Sequence, residues 1–239
     1  MDSPIGRIIA KMGVEVGRVA DKVALVTGVG HPLAAAAASA LADEGARLVV
    51  VDTEHAPAER AAAVTGLPSP RVMSRGHERS SETAWGNLVT SVIDRFGRLD
   101  ILVNGPPDLL VKPIREMTLS DLRALEEANI VAPWLGMKHA TVAMRAGGGG
   151  SIVNLSLGLA RTGAADLSGN CATAAGLRVM SQAVALECGQ NADGIRVNSI
   201  LVDHARPPDP AEVAAAVVYL ASDESRFMTA GEIAFEAAY

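Results

Sequence analysis

The sequence is short of aromatic residues and of long apolar runs. Phe, Trp and Tyr make up only 3% of its 239 residues. The core must therefore consist mainly of Ala, Val, Leu and Ile, which suits parallel strands buried on both faces. No apolar run reaches the roughly 18 residues that cross a bilayer, and the N-terminus lacks the apolar stretch of a signal peptide. We therefore expect a soluble, cytoplasmic protein.

Basic runs, paired cysteines and metal-ligand clusters are also missing. The net charge is −6, which argues against nucleic acid or an anionic membrane as a partner. Cys171 and Cys188 lie on one predicted helix, too far apart to bridge, and we interpret both as reduced and buried. Three isolated histidines, His31, His139 and His204, lack a second ligand at metal spacing, so no metal site is predicted.

Short apolar runs alternate with helical segments from Lys22 onward. The predicted strands are Val23–Thr27, Arg47–Asp52, Arg71–Ser74, Leu99–Asn104, Ser151–Ser156, Ile195–Leu201 and Glu232–Phe235. The predicted helices are Leu33–Glu44, Glu82–Phe96, Leu119–Met144, Ala172–Glu187 and Pro210–Ala221, with a short one near Pro57–Val64. This alternation predicts one doubly wound α/β domain, residues 21–239, with a Rossmann-like, seven-stranded parallel sheet and helices on both faces. Residues 1–20 are predicted to be a helical extension.

A glycine-rich turn joins the first strand to the first helix. It contains Gly28 and Gly30, followed by His31 and Pro32. Such a turn lets the backbone approach a pyrophosphate, which then sits on the helix N-terminus. Asp52 ends the second strand, and the residues alone leave open whether it binds a ligand or only opens a turn.

Several segments resemble the classical short-chain dehydrogenase/reductase family over residues 18–239. They are Arg95–Asn104, Ser151–Ser156 and Gly194–Asn198, together with the glycine-rich turn. In the family motif Thr-Gly-x-x-x-Gly-x-Gly, Gly28 is kept, but Pro32 and Ala34 replace the other two glycines. The resemblance makes Gly28, the Leu33 N–H and Asp52 the candidate cofactor-binding groups, with Asp52 favouring NAD. It also places Glu78 near an acid that lies beside adenine.

The family's catalytic residues are mostly replaced. Hydride transfer there uses a Tyr whose pKa a Lys lowers, a Ser that holds the carbonyl oxygen and an Asn in a water relay. The matching positions hold Asn170, Ala174 and Leu157, and only Asn129 is kept. The loop that lines the nicotinamide contains Pro106 and Pro107, and little chain between Leu201 and Pro210 remains for a substrate lid. No catalytic residues are therefore predicted.

These losses predict a catalytically inactive family member that serves as a structural or regulatory subunit. Its expected partner is an active paralogue in a hetero-oligomer, with four chains the usual number, and a homo-oligomer is left open. The pattern resembles the inactive chain of heteromeric members such as the CoA-thioester (hydroxybenzylsuccinyl-CoA type) dehydrogenase of anaerobic toluene degradation. No cofactor is expected beyond weak or vestigial NAD binding. The alternatives are a residual NAD-dependent oxidoreductase and a nucleotide- or acyl-CoA-binding module that uses the vacated pocket.

Overall fold

A computed structural model describes residues 17–53, 63, 65 and 69–235. The strands are β1 (Val23–Thr27), β2 (Arg47–Asp52), β3 (Val72–Gly76), β4 (Ile101–Asn104), β5 (Gly150–Leu157), β6 (Ile195–Val202) and β7 (Glu232–Phe235). The helices are α1 (Pro32–Asp43), α2 (Glu82–Phe96), α3 (Leu119–Glu126), α4 (Ala132–Ala146), α5 (Ser168–Gln190) and α6 (Pro210–Ala221). A π-helical turn, Glu127–Val131, joins α3 to α4.

All seven strands are parallel and lie in the order β3-β2-β1-β4-β5-β6-β7. The chain runs outward from β1 to β3 and then returns to β4 on the other side of β1. This reversal opens a crevice at the carboxyl ends of β1 and β4, where open α/β sheets bind ligands. The predicted fold class is confirmed.

Two apolar clusters of small aliphatic residues fill the two faces of the sheet. One includes Ala34, Ala37 and Leu41 of α1 against Val213 and Val217 of α6, and the other packs α2, α4 and α5 on the opposite face. The strands contribute alternate residues to the two clusters because successive side chains point to opposite faces. The five inner strands β1, β2, β4, β5 and β6 are therefore buried on both sides, whereas the edge strands β3 and β7 are partly exposed. This burial fixes the positions of the β1, β2 and β4 ends that form the site.

Some predicted elements differ from the observed ones. The helix predicted at Leu119–Met144 is divided by the π-helical turn, and α5 begins four residues before the predicted Ala172. Of the predicted N-terminal helix, residues 1–16 lie outside the described part of the chain, and residues 17–20 form a turn. The short helix predicted at Pro57–Val64 lies almost entirely outside the described residues.

Two expectations about side chains and membranes can also be compared with the structure. Cys188 is buried and its thiol pKa is raised by burial, whereas Cys171 is only half-buried. The prediction that both cysteines are buried is therefore wrong for Cys171. In the described part of the chain, none of the helices combines the length and the apolar character that a membrane crossing requires. Location in the cytoplasm stays a prediction.

Candidate functional site

The carboxyl ends of β1, β2 and β4 surround a cavity that is partly open to solvent, with about 580 Å³ of space when the solvent at its mouth is included. Its polar lining comes from Thr27, Gly28, Asp52, Thr53, His77, Arg79, Asn104 and Asn129. Its apolar lining comes mainly from Val51, Trp85, Pro106, Pro107, Ala128, Ala132, Pro133, Leu155 and Leu177. The strand order dictates this location, since the crevice lies where the chain reverses direction across the sheet.

Gly28 and Asp52, two of the three predicted cofactor-binding residues, line this cavity together. Gly28 has a φ of 67°, a conformation that glycine adopts without strain. A Cβ built there would meet only the Gly105 Cα, at 3.7 Å, so there is room over the turn. The Asp52 carboxylate accepts hydrogen bonds from the Gly30 N–H (2.6 Å) and the Thr53 N–H (2.7 Å). It therefore holds the glycine-rich turn against the end of β2.

Leu33, the third predicted residue, is absent from the cavity lining. Its N–H donates to Nδ1 of His31, 3.2 Å away, so His31 caps the N-terminus of α1. Because Nδ1 accepts this bond, the imidazole is neutral, and burial also lowers the His31 pKa. A donor that an anion would use at this helix end is therefore already bonded within the chain. Whether Gly28, Leu33 and Asp52 bind a cofactor stays a prediction.

His77, Arg79 and Trp85 line the cavity beside the end of β3, and sequence reasoning missed all three. Glu78, which the resemblance favoured, is exposed and does not line it. The His77 ring meets the edge of Trp85 at a centroid distance of 4.5 Å, and its Nε2 has no hydrogen-bond partner in the described part of the chain. Burial lowers the His77 pKa to about 4. The imidazole is therefore uncharged at neutral pH.

Asn104 joins the two strands that carry the middle of the site. Its Nδ2 donates to Oδ1 of Asn154, 2.7 Å away, which ties β4 to β5. The next residue, Gly105, lies against the end of β1, where a Cβ would come within 2.2 Å of the Thr27 carbonyl oxygen. Only glycine fits there, so the chain after β4 starts in a fixed position.

The kept Asn129 and the substituted Asn170 lie close together at the other end of the site. Both side-chain amides donate to the Asp108 carbonyl oxygen, at 2.9 and 2.8 Å. Asn129 Oδ1 also accepts from the Asp108 N–H, and Asn170 Oδ1 accepts from the Leu110 N–H. Both asparagines are buried. They hold the backbone of the segment that follows β4.

The other two substituted positions are apolar. Leu157 and Ala174 are both buried in the same aliphatic cluster. Ser156, one position before Leu157, is buried, and its hydroxyl has no hydrogen-bond partner in the described ranges. The positions that would carry Ser, Tyr and Lys therefore hold an apolar pair and an amide that bonds to backbone. No phenol or amine occupies them.

The comparison with known families is clear. Residues 22–205 match the family model described as short chain dehydrogenase. The chain belongs to the short-chain dehydrogenase family. This assignment confirms the resemblance found in the sequence and places the protein in a family of oxidoreductases.

Individual relatives match along almost the whole chain. The 3-alpha-(or 20-beta)-hydroxysteroid dehydrogenase of Mycobacterium bovis is 30% identical, over 90% of this chain and 88% of the relative. The 2,5-dichloro-2,5-cyclohexadiene-1,4-diol dehydrogenase of Sphingobium indicum is 28% identical, over 89% of this chain and 93% of the relative. The crystal structure of a short chain dehydrogenase from Mycobacterium smegmatis is 27% identical, with a TM-score of 0.85, over 93% of this chain and 95% of that one.

These relatives contradict the prediction of a catalytically inactive structural or regulatory subunit. Both are named as dehydrogenases, and their sequences align with about nine-tenths of this chain. The prediction took three missing side chains as proof of inactivity, but those losses affect proton transfer and leave the cleft open. Apolar helix faces also cannot identify a partner, because they can cover the chain's own sheet. Pairing with an active paralogue and the likeness to a heteromeric subtype remain untested.

Proposed function

We propose that this chain binds NAD in the cleft at the carboxyl ends of β1, β2 and β4 and acts as an oxidoreductase on a hydroxylated ring compound. The observation that carries the proposal is the pair of Asp52 and Gly28 on one cavity. A carboxylate at the end of the second strand suits the two hydroxyls of an adenosine ribose, and the bare backbone at Gly28 suits a pyrophosphate. The room above Gly28 supports the fit.

The phosphate end of the cleft is expected to bind less tightly than its ribose end. The Gly30 N–H is bonded to Asp52 and the Leu33 N–H to His31. The His31 bond, at 3.2 Å, is at the long end of the usual range and is only partly buried, so an anion can replace it at small cost. Asp52 also disfavours a ribose that carries a phosphate, because two negative groups would meet there.

Bound in this cleft, NAD supplies a hydride acceptor for an alcohol. At the end of the cleft that holds Asn129 and Asn170, the chain's own residues only hold the backbone in position. Asn129 and Asn170 direct their amides to the backbone of residues 108–110, and an amide cannot release a proton near neutral pH. Since a positioned acid or base contributes ~10²- to 10⁴-fold, we expect turnover slower by about that factor than with a Tyr–Lys pair.

The substrate class rests on two observations. The two relatives above are named as dehydrogenases of a hydroxysteroid and of a cyclohexadiene diol. The segment after β4, which Asn170 holds, exposes the apolar side chains of Leu109, Val111 and Ile114. An apolar ring bearing a hydroxyl group matches such a surface.

Calorimetric titration with NAD⁺ and NADP⁺ tests the proposal. The parent chain should bind NAD⁺ more tightly than NADP⁺, and Asp52→Ala should weaken NAD⁺ binding roughly tenfold, because each lost charge-assisted hydrogen bond costs about that much. Asp43→Ala, an exposed acid at the far end of α1, is the matched control. Absence of NAD⁺ binding by the parent would refute the proposal. A panel of alicyclic alcohols, followed by NADH absorbance, then tests turnover.

A further inference from the structure

The residue at the centre of the inference is Asp108, whose backbone and side chain are held in different ways. Its N–H and carbonyl bond to the amides of Asn129 and Asn170 over 2.8–2.9 Å. These partners are 2% and 0% exposed. Breaking these bonds is costly, since the buried asparagine amides would be left without a partner. The backbone of Asp108 is therefore firmly anchored to the π-helical turn and to α5.

The side chain of Asp108 pairs with Arg79, in the loop between β3 and α2. Both terminal nitrogens of the guanidinium donate, Nη1 to Oδ1 at 3.1 Å and Nη2 to Oδ2 at 2.6 Å. The two side chains are 40% and 51% exposed. An ion pair in water at this exposure contributes little stability and is screened by salt. The connection from Asp108 to Arg79 therefore opens far more readily than the anchor.

This weak connection lies at the edge of the cavity. Arg79 lines the cavity, and so do Pro106 and Pro107, which immediately precede Asp108. His77 and Trp85 form the wall beside Arg79, and the Trp85 indole N–H donates to the Arg79 carbonyl oxygen at 2.8 Å. The ion pair thus joins two segments of the cavity wall that are far apart in sequence, next to a buried tryptophan. Breaking it frees one segment from the other.

We propose that the Arg79–Asp108 ion pair is a latch that controls access to the cavity, with the Asn129 and Asn170 amides as its fixed anchor. The inference rests on the proposed function, because the molecule admitted is the adenosine end of the nucleotide. The latch closes in the same way over an empty or a filled cavity. It therefore changes the rates of entry and exit and leaves the equilibrium nearly unchanged.

The first test measures how readily the latch opens in the absence of nucleotide. Trp85 and Trp134 are the only tryptophans, so Trp134→Phe leaves Trp85 as the sole reporter of acrylamide quenching. In that background, Arg79→Met and Asp108→Asn should each raise the quenching constant roughly 1.5- to 5-fold, the range that an exposed pair of this kind supports. Arg18→Met, which breaks the exposed two-point Arg18–Glu224 pair outside the cavity lining, should leave it unchanged. Equal quenching in the parent and both latch variants would overturn the proposal.

The second test measures NAD⁺ binding by stopped flow, with the Trp85 fluorescence as the signal. Opening the latch should raise the association and dissociation rate constants together, while Kd stays within about twofold. Added salt should act on the parent in the same direction and should not affect Arg79→Met. A weaker Kd with an unchanged association rate would show that Arg79 contacts the ligand, and would overturn the latch. Absence of NAD⁺ binding would refute the proposed function alone, since the quenching result still decides the latch.

Discussion

The two ends of the cleft use polar side chains in different ways. At the end where we propose that adenosine binds, Asp52 keeps acceptor capacity and His77 has an unbonded nitrogen in the described part of the chain. At the other end lie the positions that carry the catalytic residues in the family. There, Asn129 and Asn170 bond to the backbone, and Leu157 and Ala174 belong to an apolar cluster. The first end offers polar groups to a ligand, whereas the second uses them to hold the fold. Binding and chemistry can therefore be altered separately.

The largest expected effect comes from rebuilding the catalytic end. Leu157→Ser, Asn170→Tyr and Ala174→Lys together should raise turnover of a ring alcohol ~10²- to 10⁴-fold, because a phenol beside a cation becomes a working acid/base near neutral pH. Activity with NAD⁺ is the measurement. The matched control carries Met at position 174, which has the length of lysine without the charge.

The same variants reveal whether side chains alone limit the catalytic end. Thermal unfolding must first show that the triple variant folds, since Asn170 is fully buried and a larger ring must fit there. A variant that folds and binds NAD⁺ without gaining activity would place the limit elsewhere, at the Pro106–Pro107 turn. That outcome would remove the contrast in chemistry between the two ends.

The next prediction concerns the pH dependence of stability, which we expect to depend on His77 in the cavity wall. Burial lowers the His77 pKa from 6.5 to about 4, so the unfolded chain takes up a proton first as the pH falls. The free energy of unfolding is therefore not reduced by this group above pH 6.5. It falls between pH 6.5 and 4, by about 2 kcal/mol at pH 5. Urea unfolding at pH 7.5 and 5 should show this loss in the parent. His77→Phe should remove most of it, and an equal loss in both proteins would contradict the assignment.

A smaller effect is expected between the two ends, at Asn104. Asn104→Ala removes the donor to Asn154 and leaves a buried acceptor unpaired, which should lower the free energy of unfolding by about 1–3 kcal/mol. Urea unfolding at neutral pH is the measurement. Asn87→Ala, at an exposed position of α2, is the control and should change little. Similar values for the two variants would show that the strand tie contributes nothing.

The last prediction compares the anchor with the latch, and its Arg79→Met member has the smallest expected effect. Asn170→Ala should cost about 1–3 kcal/mol, because the half-buried Leu110 N–H loses its partner and the Asp108 carbonyl keeps only the bond from Asn129. Arg79→Met should cost below ~1 kcal/mol, as exposed ion pairs do. Thermal and urea unfolding of both variants measure the difference. Equal costs would mean that Arg79 and the asparagines hold the segment equally firmly.

The strands of the sheet could be predicted from the sequence because a strand is recognised by its local pattern of apolar residues. Val23–Thr27, Arg47–Asp52 and Glu232–Phe235 were predicted with the bounds that the structure shows. Gly28 and Asp52 could be predicted as neighbours, since both lie at carboxyl ends of adjacent parallel strands. The cleft's location therefore follows from topology alone.

Other parts of the site depend on contacts that no local pattern reveals. His31 is not a usual N-cap residue, so its bond to the Leu33 N–H had no sequence signal. Arg79 and Asp108 are 29 residues apart and meet only in the fold. The π-helical turn has the same composition as an α-helix, which is why one long helix was predicted. The inference of inactivity failed for a different reason, since it concerned chemistry rather than folding.

The π-helical turn has a consequence for how this protein can vary. A π turn holds one residue more than the α-helical turn it replaces, so it advances the phase of the helix by about 100°. Deleting one residue within Glu127–Val131 would restore a regular helix and rotate everything before it relative to α4. Asn129 would then face away from the residue 108 backbone, while Met137 and Ala140 would keep their places under the sheet. The turn thus sets the register between the site and the core, and a single-residue deletion there would separate them.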